Sequence, residues 1–215
     1  MANRKHLTSR DIKLIDFLEE NNLIITAELA AQWFFQSPTG NFKSALTVAQ
    51  RRLAICCELG QLKRCREHID QCYIYYTGKR PSKVDHKLMI CKFLINMYRK
   101  YEVVKVKVEF KELEKQYAMR PDIFIVFKFG SKTVSALVEC ENTKTYSNEE
   151  KYKTMYTDYA NKKLIHILPY PLLLVCVSKQ EPDTKLKPLW VNNDHSNFSV
   201  IEQWLIREYV VKKRA

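Results

Sequence analysis

This sequence of 215 residues lacks several features that define common protein classes. Its longest purely apolar run is too short to cross a bilayer. The start, MANRKHLTSRD, is polar and does not have the pattern of a signal peptide. The 7 cysteines are an odd number without regular pairing, which does not match a disulfide framework. No internal repeat is visible. We therefore expect a cytoplasmic protein with no membrane partner.

Acidic residues are too few to balance the basic ones. The chain has 36 Lys and Arg against 24 Asp and Glu, a formal net charge of +12. The excess is present in both parts of the chain, with 13 basic and 9 acidic residues up to residue 85 and 23 and 15 after it. This favours a polyanionic partner. The alternative is a solvated, lysine-rich surface with no such partner.

Two helices and a strand are predicted at the start of the chain. Thr8 followed by Asp11 fits a capping box, so a helix begins there. Residues 23–25 are a short apolar run that predicts a strand, and Thr26 can cap a second helix. The polar residues 1–6 predict a poorly ordered basic arm.

The third helix and the hairpin after it carry the clearest functional signal. Ser44 is the predicted N-cap, and Gly60 lies where a left-handed C-cap belongs. Positions 46, 49, 53 and 56 are apolar at helical spacing and predict the inward face. Two alternating strands follow, at residues 62–66 and 71–76. Helices, strand and basic hairpin in this order predict a winged helix-turn-helix.

In that fold the third helix enters the major groove and the wing lies along the phosphates. Polar side chains of the helix can read bases, and basic side chains of the hairpin can make salt-sensitive phosphate contacts. The alternatives are that Arg51 and Arg52 are solvated or pair near Glu58, or that the fold docks a protein. The predicted DNA-binding residues are Lys43, Ser44, Thr47, Gln50, Arg51, Lys63, Arg64 and Arg66.

A second domain is predicted after a turn-rich linker at residues 77–82. Its order is helix, three strands, helix, strand, helix, or αβββαβα. The fold class is thus α+β, with an N-terminal domain at residues 1–80 and an α/β domain at residues 85–215. The predicted helices cover residues 85–101, 148–163 and 199–212, and the predicted strands cover 103–110, 123–129, 134–141 and 172–178.

Three carboxylates fall at the ends of two predicted strands in this second domain. Asp122 precedes one strand, and Glu139 and Glu141 share a face near the end of the next. Clustered carboxylates in apolar surroundings are costly unless they are compensated. Mg²⁺, which prefers oxygen ligands, would do so through Asp122 and Glu139. The alternative is an ion pair with a lysine such as Lys151.

Four tyrosines recur at helix-like spacings in the same domain. This pattern predicts packing against the core, and the alternatives are a stacking surface for single-stranded DNA or a dimer face. The residues are Tyr146, Tyr152, Tyr156 and Tyr159.

The carboxylate pattern resembles the PD-(D/E)xK nuclease-like fold. The matching residues are Pro121-Asp122 and, after a strand turn, Glu139-Cys140-Glu141. In active members the acidic residues hold a metal that activates water. Here Glu141 replaces the lysine expected two residues after Glu139. The resemblance implies a catalytically degenerate domain or, as the alternative, a Mg²⁺-dependent endonuclease using Asp122, Glu139, Glu141 and Lys151.

Several short segments, spread over nearly the whole chain, together carry a further resemblance. They are Leu7-Thr8-x-Arg10-Asp11, Ala49-x-Arg51-Arg52-Leu53, Leu59-Gly60, Tyr75-Tyr76-Thr77, His86-x-Leu88, Arg120-Pro121-Asp122, Glu139-Cys140-Glu141-Asn142, Lys151 and Tyr159. With these segments the chain resembles the replication-relaxation family of plasmids, phages and conjugative elements. The resemblance implies a winged helix, a nuclease-like domain and a role in replication control or mobilisation, with a replication initiator or relaxase as partner. We expect a sequence-preferring, homodimeric protein that binds double-stranded DNA, or alternatively a transcription repressor.

Overall fold

The computed structural model describes residues 6–36, 40–66, 68–141 and 149–211. These residues have a mixed α+β fold with two sheets, which confirms the predicted fold class at that level. The chain divides into two compact units, unit 1 at Met1–Ile95 and unit 2 at Asn96–Ala215. Most of the predicted basic arm, and Tyr146, lie outside the described residues. Among the helices described, none is long and apolar enough to cross a membrane.

Unit 1 contains a three-stranded antiparallel sheet in the order β1-β3-β2. The predicted capping box is confirmed, since the Thr8 hydroxyl accepts from the Asp11 amide and the Thr8 amide donates to the Asp11 carboxylate (2.6 Å). The elements are α1 Ser9–Glu20, β1 Ile24–Thr26, α2 Ala27–Ala30 continued by a π-helical turn Ala31–Phe35, α3 Phe42–Glu58, β2 Lys63–Cys65 and β3 Ile74–Tyr76, followed by α4 Val84–Lys100.

Helix α3 begins earlier than the sequence predicted. Its N-cap is Asn41, whose side-chain oxygen accepts from the Ser44 amide (2.8 Å), so the prediction that Ser44 caps this helix is wrong. Asn41 fills the role because asparagine is as good an N-cap as serine and lies one turn earlier. Gly60 has a φ of 72°, which confirms the predicted left-handed position after the helix.

Unit 2 is built on a five-stranded sheet in the order β4-β5-β6-β7-β8. The pairs β4–β5 and β5–β6 are antiparallel, and β6–β7 and β7–β8 are parallel. A core cluster that includes Phe124, Leu137 and Tyr152 packs between the sheet and α6. The elements are β4 Glu102–Val108, α5 Glu114–Tyr117, β5 Ile123–Phe129, β6 Lys132–Glu141, α6 Glu149–Ala160, β7 Leu172–Ser178, β8 Leu189–Asn192 and α7 Ser199–Ile206, with a final π-helical turn Arg207–Val211.

Two elements of unit 2 were not predicted from the sequence. Helix α5 is a single turn that stops at Ala118, where φ is 50°. Strand β8 has 4 residues and pairs in parallel with the second half of β7. Both are too short to show a periodic pattern, and β8 forms through a long-range pairing that local sequence does not encode.

Candidate functional site

Helix α3 has one buried side and one exposed polar side. Its buried residues are Ala45, Ala49, Leu53 and Cys56, while the predicted inward residue Leu46 is only half-buried. The exposed side presents two cations together with amide and hydroxyl groups. We call it the outer face of α3, and it consists of Lys43, Ser44, Thr47, Gln50 and Arg51. All five of these predicted DNA-binding residues are exposed.

Two adjacent arginines on α3 have different environments. The Arg52 guanidinium donates two hydrogen bonds to the Asp11 carboxylate, one of them from Nε to Oδ1 at 3.2 Å, and a third to the His6 carbonyl at 2.7 Å. Arg52 therefore pairs with Asp11 and joins α3 to α1. Arg51 is exposed and forms no ion pair with the described residues. Its guanidinium is directed at solvent on the outer face of α3.

The hairpin β2–β3 holds its arginines around one tyrosine ring. The guanidinium carbons of Arg64 and Arg66 lie 4.6 Å and 4.9 Å from the centre of the Tyr73 ring. Arg66 also donates to the Ile69 carbonyl (2.8 Å), and Lys63 donates to the Gly78 carbonyl (2.7 Å). Lys63 and Arg64 are exposed, while Arg66 is half-buried. Cation–π contacts of this kind restrict the side chains without removing their charge.

The sequence did not predict that Tyr73 holds the side chains of Arg64 and Arg66 in place. Tyr73 stands in the predicted strand 71–76, and the basic residues stand in the predicted strand 62–66. Because cross-strand neighbours in a hairpin contact each other, this placement was the available signal. The outer face of α3 and the hairpin arginines together can donate hydrogen bonds and positive charge to a polyanion.

In unit 2 the structure brings Asp122 and Glu139 together. Ile123 pairs with Val138, so Asp122 lies opposite Glu139 where the β5–β6 pair begins. Asp122 Oδ2 accepts from the Cys140 amide (2.8 Å), and the Tyr152 hydroxyl donates to Glu139 Oε1 (2.8 Å). Glu139 is 5 % exposed and Tyr152 is fully buried. Tyr152 is therefore a partner of Glu139 and no part of an exposed tyrosine surface.

Burial and the neighbouring carboxylate of Asp122 raise the pKa of Glu139 to about 9. The hydrogen bond from Tyr152 acts in the opposite direction but is outweighed. At neutral pH Glu139 is therefore protonated and neutral. A buried carboxyl holds its proton more tightly beside a second carboxyl group, because burial and a like charge both disfavour its ionised form.

The other residues predicted for this site are Glu141 and Lys151. Within the described ranges, no group of three or more His, Cys, Asp or Glu side chains could hold a metal ion. Lys151 donates to the Ala118 carbonyl (2.7 Å) and forms no ion pair with the described carboxylates. Glu141 is half-buried at the end of β6. Asp122 and Glu139 thus come together as predicted, whereas Lys151 is bound at a backbone oxygen.

Comparison with known proteins adds no relative from which a role could be transferred. No protein-family model matches the chain, and no curated protein or solved structure matches it.

Proposed function

We propose that this protein binds double-stranded DNA with a sequence preference through unit 1. The outer face of α3 reads bases in the major groove, and the hairpin β2–β3 lies on the phosphates in the manner of a winged helix-turn-helix. The order α1-β1-α2-α3-β2-β3 and the antiparallel sheet support this assignment. As the replication-relaxation resemblance implies, the protein acts as an accessory factor of a mobile element, in replication control or mobilisation.

The observation that carries the proposal is the exposure of the outer face of α3. Structural arginines on protein surfaces commonly pair with acids, as Arg52 does with Asp11. Arg51 has no such partner among the described residues and stands beside Gln50 and Thr47, which can also bind base edges. The positive charge of the whole chain adds a sequence-independent attraction to DNA.

Replacing Arg51 tests base reading directly. Arg51→Ala is expected to weaken binding to the preferred duplex by about 1–3 kcal/mol, because a bidentate contact with guanine is lost. Binding to unrelated duplexes is expected to change much less. The measurement is fluorescence anisotropy with both duplexes. Arg10→Ala, which removes an exposed arginine of α1, is the matched control for charge.

Replacing Lys63 tests the phosphate contact of the hairpin. Lys63→Ala is expected to weaken binding to all sequences by a similar factor and to reduce the slope of log affinity against log salt by about one unit. The check is a salt titration with the preferred and an unrelated duplex. A loss confined to the preferred duplex would contradict a phosphate contact.

For unit 2 we propose a PD-(D/E)xK-like scaffold that mediates homodimerisation or binds a replication initiator or relaxase. A dimer would place two α3 helices on two half-sites and so supply the specificity that one such module lacks. Size-exclusion chromatography with light scattering tests this, and a monomer with one continuous footprint would count against it. Footprints confined to the gene's own promoter would instead favour the repressor alternative.

Endonuclease activity has one observation in its favour, the meeting of Asp122 and Glu139 across the β5–β6 pair. Because the described residues supply no third acidic, histidine or cysteine ligand, we propose no metal-dependent step. Incubation of duplex DNA with EDTA, Mg²⁺ or Mn²⁺ is expected to leave it intact. Metal-dependent breaks that disappear in Asp122→Ala would overturn this and restore the enzyme alternative.

A further inference from the structure

Unit 2 contains a cavity of about 190 Å³ beside the first half of β7. Its lining includes Leu172 and Leu174 of the strand, Leu186 and Lys187 of the following loop, Tyr156 of α6 and Trp204 of α7. Its lining residues include neither the carboxylate pair nor any residue of the proposed duplex contacts. A concave site with apolar walls and a few polar groups is typical of a ligand site.

The floor of the cavity is an uncovered strand edge. Strand β8 pairs with β7 only from Val175 onward, so on the side away from β6 no described strand pairs with residues 172–174. The Ser135 amide donates to the Pro171 carbonyl (2.8 Å), so residues 171 and 173 direct their peptide groups at β6. Because these directions alternate along a strand, Leu172 and Leu174 direct theirs toward the cavity. The Leu172 amide donates to the Tyr159 hydroxyl and the Val175–Leu189 pairing engages the Leu174 carbonyl, so the backbone groups that the floor can offer are the Leu172 carbonyl and the Leu174 amide.

The walls are aromatic and the rim is cationic. Tyr156 is 42 % exposed, and Trp204 lines the same cavity from another helix. Lys187 is exposed and forms no ion pair with the described residues. A planar ring with polar edges and an attached anion fits aromatic walls, a backbone floor and a cationic rim. A nucleotide has that combination, and residues 96–215 carry 21 Lys and Arg against 15 Asp and Glu.

We propose that this cavity binds an unstacked base of single-stranded DNA, with the ring against Tyr156 and Trp204 and the phosphate near Lys187. Aromatic side chains hold single-stranded bases by stacking, with little dependence on sequence. The proposal rests on the proposed function, since DNA binding by unit 1 brings the strand to the protein. It extends that function to the single strands exposed when a duplex opens.

The test is the anisotropy of a labelled oligothymidylate titrated with the full chain. Tyr156→Ala is expected to weaken binding about tenfold, and Tyr156→Phe is expected to keep it. Tyr170→Ala is the matched control, because the Tyr170 side chain is 39 % exposed and does not line the cavity. Three outcomes would each overturn the proposal. The native chain does not bind the oligothymidylate, Tyr156→Ala binds it with the affinity of the native chain, or Tyr170→Ala weakens binding as much as Tyr156→Ala does.

A second probe separates this proposal from the proposed function. Arg51→Ala is expected to weaken duplex binding and leave oligothymidylate binding unchanged. If Tyr156→Ala binds oligothymidylate as tightly as the native chain does, while duplex binding is intact, the cavity proposal alone is overturned. Absent duplex binding with a Tyr156-dependent oligothymidylate complex would overturn the function proposed for unit 1 and support the cavity.

Discussion

Asp11→Ala is expected to destabilise unit 1 by about 3 kcal/mol, because it removes one partner of a largely buried ion pair. The Asp11 side chain is fully buried, and its carboxylate accepts from Arg52 and from the amide of Thr8. The substitution removes the carboxylate partner of Arg52, whose side chain is 18 % exposed, and it removes the capping box of α1. Hydrogen-exchange mass spectrometry over α1 and α3 measures the loss.

Asp16→Ala is the matched control for this prediction. Asp16 lies on the same helix but is exposed, so protection of α1 and α3 is expected to stay close to that of the native chain. Equal losses in the two variants would contradict the role given to the Asp11–Arg52 pair. Retained protection in Asp11→Ala would do so as well.

The Asp11–Arg52 pair makes the stability of unit 1 depend on pH in the acid range. Burial raises the pKa of Asp11, but hydrogen bonds from Arg52 and Thr8 outweigh it, and the net pKa is lowered. A carboxyl whose pKa is lower in the folded state contributes stability above its unfolded value of about 4. That contribution is lost as the pH falls through the folded pKa. Asp11→Asn is expected to abolish this part of the acid dependence.

Glu139→Gln is expected to stabilise unit 2 progressively as the pH rises from about 5 to 9. The pKa of Glu139 is raised to about 9, so the folded state holds a proton that the unfolded chain releases above its usual pKa. Native stability therefore falls by up to about 1.4 kcal/mol per pH unit in this window. Glutamine keeps the neutral form and removes this dependence. Hydrogen exchange over β6 at several pH values measures it.

Carboxyl NMR of glutamate-labelled protein tests whether the raised pKa of Glu139 causes the pH dependence of the stability of unit 2. One glutamate resonance is expected to titrate well above pH 7 and to be absent in Glu139→Gln. Asp122→Asn is expected to lower that pKa, because it removes the neighbouring negative charge. An ordinary glutamate titration for every resonance would contradict the protonated state assigned to Glu139.

Local signals in the sequence predicted much of the fold. The Thr8–Asp11 capping box and Gly60 act within one turn of chain, and the structure has both where they were expected. The apolar runs of β5 and β7 predicted their strands to the residue. The prediction of Ser44 as N-cap failed because asparagine caps as well as serine, and Asn41 lies three positions earlier.

The sites depended on contacts that sequence does not show. Arg52 and Asp11 are 41 positions apart, so the sequence did not show that Arg52 pairs with Asp11. Tyr152 was grouped with other tyrosines by spacing, but its place under the sheet makes it the donor to Glu139. The cavity beside β7 exists because β8 is short, and β8 itself was not predicted.

The central claim is that the outer face of α3 reads duplex DNA. The most direct test first uses the full chain to select preferred duplexes from a random pool. The affinities of the native protein, Arg51→Ala and Arg10→Ala for a selected duplex are then compared by anisotropy at fixed salt. Recovery of a preferred sequence whose affinity falls about tenfold or more in Arg51→Ala, and much less in Arg10→Ala, is the predicted result. Failure to enrich any sequence, or equal losses in both variants, would contradict the claim.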